Sequence, residues 1–225
     1  MLESLISFGR LEEYETGSTG PKSDLQERPI HRLTDNDAGG NMPDREDLYT
    51  LSKETLIDML EDSAKNWLAH DGLWFQAVER QYGMEKAIEL DTEAWISFTQ
   101  IEAKRIMRRH GIEPEGGLPA LEKALQFRLY ARINEQSVVI DENTLRFEMN
   151  DCRVQSARKR KGLDDFPCKP VGIAEYAYFA HTIDPRIRTV VIACPPDPHP
   201  DEFYCAWQFN LEEDPILIED LFRIK

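Results

Sequence analysis

Apolar residues recur three and four positions apart from residue 56 onward, then switch to strict alternation near residue 145. Leu56, Leu60, Trp67, Trp74, Phe75, Val78 and Tyr82 form one helical stripe, with Ser52 after Leu51 as its N-cap. His70-Asp71-Gly72 interrupts the stripe, as a kink or as a tight turn in which Asp71 caps a second helix. Past Gly83 a further helix carries Ala87, Ile88, Ala94, Trp95, Phe98 and Ile101 and ends near His110-Gly111. After Gly116-Gly117, Pro119 suits a first helical turn, and Leu121, Leu125, Leu129 and Ile133 make a third stripe.

Strands follow. Ser137–Ile140 and Thr144–Asn150 flank Asp141-Glu142-Asn143, a hairpin signature, and Leu145, Phe147 and Met149 alternate with Arg146, Glu148 and Asn150. A basic loop or short helix precedes a helix over Pro170–Thr182. Ile187–Ala193 and Phe203–Leu211 read as strands, the second with Phe203, Cys205, Trp207, Phe209 and Leu211 on one face. The expected class is α+β: an N-terminal helical segment packed with a mixed, mostly antiparallel β-β-α-β-β unit. Its expected divisions are a disordered leader over 1–50, a helical domain over 51–135, a Cys-rich α/β domain over 136–212 and a tail or short helix over 213–225.

Charge narrows the partners. With 27 Lys and Arg against 42 Asp and Glu, the net charge is −15, a field that repels phosphate backbones and argues against nucleic acid. The run Arg158-Lys159-Arg160-Lys161 is a local exception, a solvated face or an anion clamp. No apolar run is long enough to cross a bilayer, and the first residues lack the cationic start and cleavage site of a secretory signal. A cytoplasmic protein with a small-molecule partner is the expectation; nothing in the pattern sets an oligomeric state.

In such a compartment four cysteines are reduced ligands or nucleophiles rather than disulfides. All four, Cys152, Cys168, Cys194 and Cys205, lie in the last third, at the ends of predicted strands and of the crossover helix. If the crossover returns a parallel strand, the sulfurs converge on one sheet edge. Their gaps match no standard zinc motif. Four thiolates suit zinc or an iron–sulfur cluster; small buried hydrophobes are the bland alternative. His181 or His199 can replace a ligand, and His199, in a proline-rich loop, can serve a thiolate as general base.

Charged residues on apolar stripes are the second signal, since buried charge is costly unless paired or used. Asp71, Asp91, Glu102 and Arg105 occupy or border such stripes, as do Arg128 and Arg132. Asp71, between Trp67 and Trp74 and beside His70, can act as an acid–base group in an aromatic wall. Pairing of Asp71 with Arg105 or Arg128 is the structural alternative. Arg153 and Arg158, next to Cys152, can clamp a ligand carboxylate. A ligand site over Trp67, His70, Trp74, Arg105, Arg153 and Arg158 is therefore expected, with Asp71 and His199 as catalytic candidates. The activity in view is hydrolysis of a small cyclic or amide-like substrate, the alternative a sensory module with structural zinc.

The runs NWLAHDGLWFQAVE, NDCRVQSARKRKGLDDFPCKPVGIAEY, TIDPRI, CPPDPHP and YCAWQF resemble a family of uncharacterised prokaryotic cytosolic proteins. That family is itself similar to the L-2-amino-thiazoline-4-carboxylate hydrolase-like proteins, over about residues 50–211. A more distant resemblance is to the 4-vinyl-reductase-type ligand-binding domain. It implies helices packed on an α/β unit around a small apolar ligand, with a cysteine-rich zinc site near the pocket in some sensory relatives. Cys168 and Cys194 are spaced as two such ligands. Val191 stands where an acidic ligand is expected, so Cys152 would have to supply it.

Overall fold

Ser52 accepts a hydrogen bond from the Thr55 backbone N–H at 3.0 Å and starts the long helix of this chain. The computed structural model describes residues 46–221, and the chain from Glu46 onward forms one compact unit. The apolar patch Leu2, Leu5, Ile6 and Phe8 and nearly all of the predicted leader lie outside the described residues. A single turn, α1 (Glu46–Tyr49), precedes α2 (Lys53–Tyr82) and α3 (Met84–His110). Gly83 alone joins the two long helices, at φ 86°, and Gly111 closes α3 in the left-handed region, at φ 58°.

The expected interruption at His70-Asp71-Gly72 does not occur. Helix α2 runs through it, because one glycine costs only about 1 kcal/mol and the helix packs against the one that follows it. Conversely, the third stripe is shorter than predicted. Helix α4 (Gly117–Leu125) stops at Leu125, and a 3₁₀ turn, Leu129–Arg132, replaces the rest. Arg128 has extended backbone there, and its side chain is buried.

The sheet comprises β1 (Glu135–Asp141), β2 (Thr144–Asp151), β3 (Ile187–Ala193) and β4 (Cys205–Leu211), in the order β1-β2-β4-β3. Every neighbouring pair is antiparallel, so the α+β class stands and the sheet is antiparallel rather than mixed. Because β4 lies antiparallel between β2 and β3, those two run in the same direction and end at one edge. The crossover between them carries α5 (Arg153–Arg160) and α6 (Lys169–Ile183). A 3₁₀ turn over Ile218–Asp220 is the last described element, where a tail or short helix was expected.

Alternation in β2 places Leu145, Phe147 and Met149 inside, and Phe147 and Leu145 sit opposite Trp207 and Phe209 of β4. Phe203 departs from the expected face. It precedes the strand and packs with Ala193 and Ala206 in a separate cluster. Helix α6 is buried on most sides, between the sheet and α3, and Thr99 Oγ1 donates to the Glu175 carbonyl at 3.0 Å to fix that contact. Among the described residues no helix is long and apolar enough to cross a membrane.

Candidate functional site

A cavity of about 800 Å³ lies between the α2–α3 hairpin and the end of the sheet. Leu68, Asp71 and Phe75 of α2 and Asp91 and Trp95 of α3 form one wall; Met149, Tyr176 and Trp207 form the other. Phe75 meets Phe166, from the segment before α6, edge to face at 4.9 Å, which draws the two walls together. Lys65, Arg153, Arg158, Arg160 and Lys161 supply cations to the same lining. A second depression of about 610 Å³ is lined by Ile216–Glu219, Pro185 and His181, whose Nε2 is engaged by the Ile216 carbonyl at 2.9 Å.

All four cysteines line the larger cavity as free thiols. The strand order accounts for this: β2 and β3 end at the edge where β4 begins, and Cys168 caps α6 there. Cys168 Sγ and Cys194 Sγ are 3.6 Å apart. Gln155, itself 1% exposed, reaches Cys168 Sγ with Nε2 at 3.5 Å while exchanging two hydrogen bonds with the Phe166 backbone. Burial pushes the Cys152 thiol up to about 12, and the sulfurs of Cys205 and Cys168 add to the effect. Hydrogen bonding with Cys168 and with Cys205, then burial, pushes Cys194 far up, so it remains a thiol.

The opposite wall is acidic. Burial raises the Asp71 carboxyl, with His70 opposing. Asp91 is pushed up to about 7, by burial first and then by the charges of Asp71 and Glu175, against a hydrogen bond with Trp95. Glu175 also lines the cavity, and burial raises it despite Arg128. Arg128 holds this wall from behind: Nε donates to Glu102 at 2.9 Å and Nη1 lies 2.6 Å from Glu175. The structural pairing expected for Asp71 thus belongs to Glu102 and Glu175, with Arg128 rather than Arg105 as the cation.

Asp71, Arg153, Arg158 and the cysteines therefore share one space, and the other candidates do not line it. Trp67 stacks on Phe98 at 5.5 Å and meets Trp95 and Tyr130 edge-on, supporting the wall from outside. His70, Trp74 and Arg105 are exposed. His199 binds the Pro200 carbonyl at 2.9 Å and Asp165 at 3.2 Å, holding its own loop. Its partial burial opposes charging, but those hydrogen bonds prevail and raise its pKa. The site residues missed as such are Asp91, Glu175, Gln155 and Trp207. A glutamate inside the apolar run of α6 was the available signal for Glu175.

A family model described as a family of unknown function, DUF6125, matches residues 49–211. The chain belongs to that family. No curated protein matches it. A similar solved structure is a trafficking protein particle complex subunit 3 from Naegleria fowleri, covalently bound to palmitic acid. The likeness is 7% in identity over 73% of this chain and 100% of that one, with a TM-score of 0.41, too loose to bear on function.

The donor chemistry of four thiols suits a soft metal, yet their placement forms no ready ligand set. Among the described residues no group of three or more His, Cys, Asp or Glu side chains is arranged to hold a metal ion.

Proposed function

We propose that this protein binds a small, largely apolar molecule carrying one anionic group in the cavity between α2–α3 and the sheet end. The observation that carries the reading is the lining itself: an aromatic interior of Phe75, Trp95, Tyr176 and Trp207, with Arg153 and Arg158 on one side. An apolar body gains from leaving water, and guanidinium groups match a carboxylate or sulfonate. The distant resemblance to the 4-vinyl-reductase-type domain supports the same reading, and a cytoplasmic location agrees with free thiols.

Hydrolysis is the second reading, favoured by Asp91, whose carboxyl near 7 suits a general base for water. The hydrolase-like resemblance supports a small cyclic or amide-like substrate for it. A zinc or iron–sulfur centre on Cys152, Cys168, Cys194 and Cys205 would require these soft donors, which line one cavity, to close into a ligand set that their placement does not form. Zinc, iron and sulfide analysis of protein purified without oxygen tests that centre.

The binding test uses 8-anilinonaphthalene-1-sulfonate, an apolar body with one anion. Saturable binding of one probe per chain is expected. Arg153→Ala with Arg158→Ala should weaken it about tenfold, the ~1.4 kcal/mol of one charged hydrogen bond. Ala157→Trp, placed in the cavity lining, should block it. Undiminished binding in the Ala157→Trp protein would sink the reading.

A further inference from the structure

The backbone holds Cys168 and Cys194 close together. The backbone N–H of Lys169 donates to the Pro195 carbonyl at 2.9 Å, so the residues that follow Cys168 and Cys194 are pinned together. Lys169 Nζ also meets Asp197 at 2.7 Å, and the Asp197 N–H returns to the Cys194 carbonyl at 2.9 Å. With the Sγ atoms at 3.6 Å, a shift of about 1.5 Å per pair reaches disulfide bonding distance. We infer that Cys168 and Cys194 are a redox-active dithiol that exchanges with small disulfides entering through the cavity.

Their roles differ. Cys168 is half-buried on the cavity wall, where an entering molecule can reach it, and Gln155 supplies a hydrogen bond to its sulfur. It is the attacking sulfur. Cys194 is 1% exposed and its sulfur lies 3.6 Å from that of Cys168; it is the resolving sulfur. Trp207 lines the same cavity fully buried, and its Nε1–H has no hydrogen-bond partner among the described residues. That donor is left for a polar group of the entering molecule.

The exchange balances. The Cys168 thiolate attacks one sulfur of a disulfide R–S–S–R, whose other sulfur leaves as a thiolate and takes a proton. The mixed disulfide on Cys168 is then attacked by Cys194, whose proton passes to the second leaving thiolate. One intramolecular disulfide and two R–SH result: the protein loses two electrons and the small disulfide gains them. Excess small thiol reverses both steps. The proposal uses the cavity of the binding reading as its entry path, but the sulfonate probe and the disulfide products report on the two separately.

The test is titration of the reduced full-length chain with oxidised and reduced glutathione, acid quenching, and peptide mapping by mass spectrometry. The wild-type chain should yield the Cys168–Cys194 disulfide before any other. Cys194→Ser should accumulate glutathione on Cys168, about tenfold over any other cysteine. Cys168→Ser should leave Cys194 unmodified. Wild-type mapping needs no variant, so a poorly folding Cys194→Ser leaves the test intact. Glutathione spread evenly over the four cysteines would overturn the proposal. So would a Cys152–Cys205 disulfide forming first, or thiols unreactive until a bound metal is chelated.

Discussion

Arg128 Nη1 lies 2.6 Å from Glu175 Oε1, with Arg128 only 3% exposed. Its guanidinium carbon also sits 4.7 Å from the Phe179 ring centre and 5.5 Å from those of Tyr130 and Tyr176, so aromatic faces cover what hydrogen bonds leave over. Burying this cation is costly, and Glu102 and Glu175 repay the cost only while both remain charged against it. Replacing Arg128 with Met should therefore destabilise the fold by about 3–5 kcal/mol, because two carboxylates lose their cation. Denaturant unfolding at pH 7 measures it. Adding Glu175→Gln should recover part of the loss; a double variant as unstable as the single one would refute the pairing.

Asp91 gives a pH dependence with a defined sign. Its folded carboxyl is raised from 3.8 to about 7, so the folded state holds a proton that the unfolded chain releases. The resulting stability is fully present below about pH 4 and is lost as pH rises through 7. Asp91→Asn removes this term. Its stability relative to wild type should rise by about 2–4 kcal/mol between pH 4 and pH 8, after allowing for screening at a half-buried group. A difference that stays flat across that range would show that Asp91 ionises normally.

Gly172 tests how tightly α6 is seated. A Cβ there would lie 2.8 Å from Trp207 Cζ2 and 3.1 Å from Cη2, against a ring that is fully buried. Gly172→Ala should cost about 1–3 kcal/mol through overpacking and should shift the Trp207 fluorescence. Stability and emission both unchanged would mean that the helix–sheet contact is looser than these distances.

The elements governed by local chemistry were legible in the chain. Ser52 caps α2, Gly111 ends α3, and β3 occupies Ile187–Ala193, because caps and alternation act within a few residues. The convergence of the cysteines followed from strand order, although β4 between β2 and β3 makes every pairing antiparallel. Where tertiary contacts decide, periodicity misled. Packing carries α2 through Gly72, and burial of Arg128 against Glu102 and Glu175 ends the α4 stripe early. Trp67 and Trp74 share a helix face with Asp71, but Trp67 packs on Trp95, Phe98 and Tyr130 and Trp74 is exposed, so neither joins Asp71 in the cavity lining. Asp91 and Glu175 come from other helices, so their approach to Asp71 depends on how three helices pack.

Phe75 and Phe166 set the last prediction, on how a ligand enters and leaves. Both line the cavity, one on α2 and one on the segment before α6, with ring centres 4.9 Å apart at 80°. An edge-to-face pair of this kind contributes about 0.5–1.5 kcal/mol beyond its buried area. Gln155 holds the Phe166 backbone at both its N–H and its carbonyl, so separation of the rings moves mainly the Phe75 side. Phe75→Ala should speed dissociation of the sulfonate probe by roughly three- to tenfold in stopped flow while leaving association nearly unchanged. Phe166→Ala should do the same, and the double variant should add little to either, since each single change already removes the contact. Independent, additive effects would show that the two rings do not act as one closure.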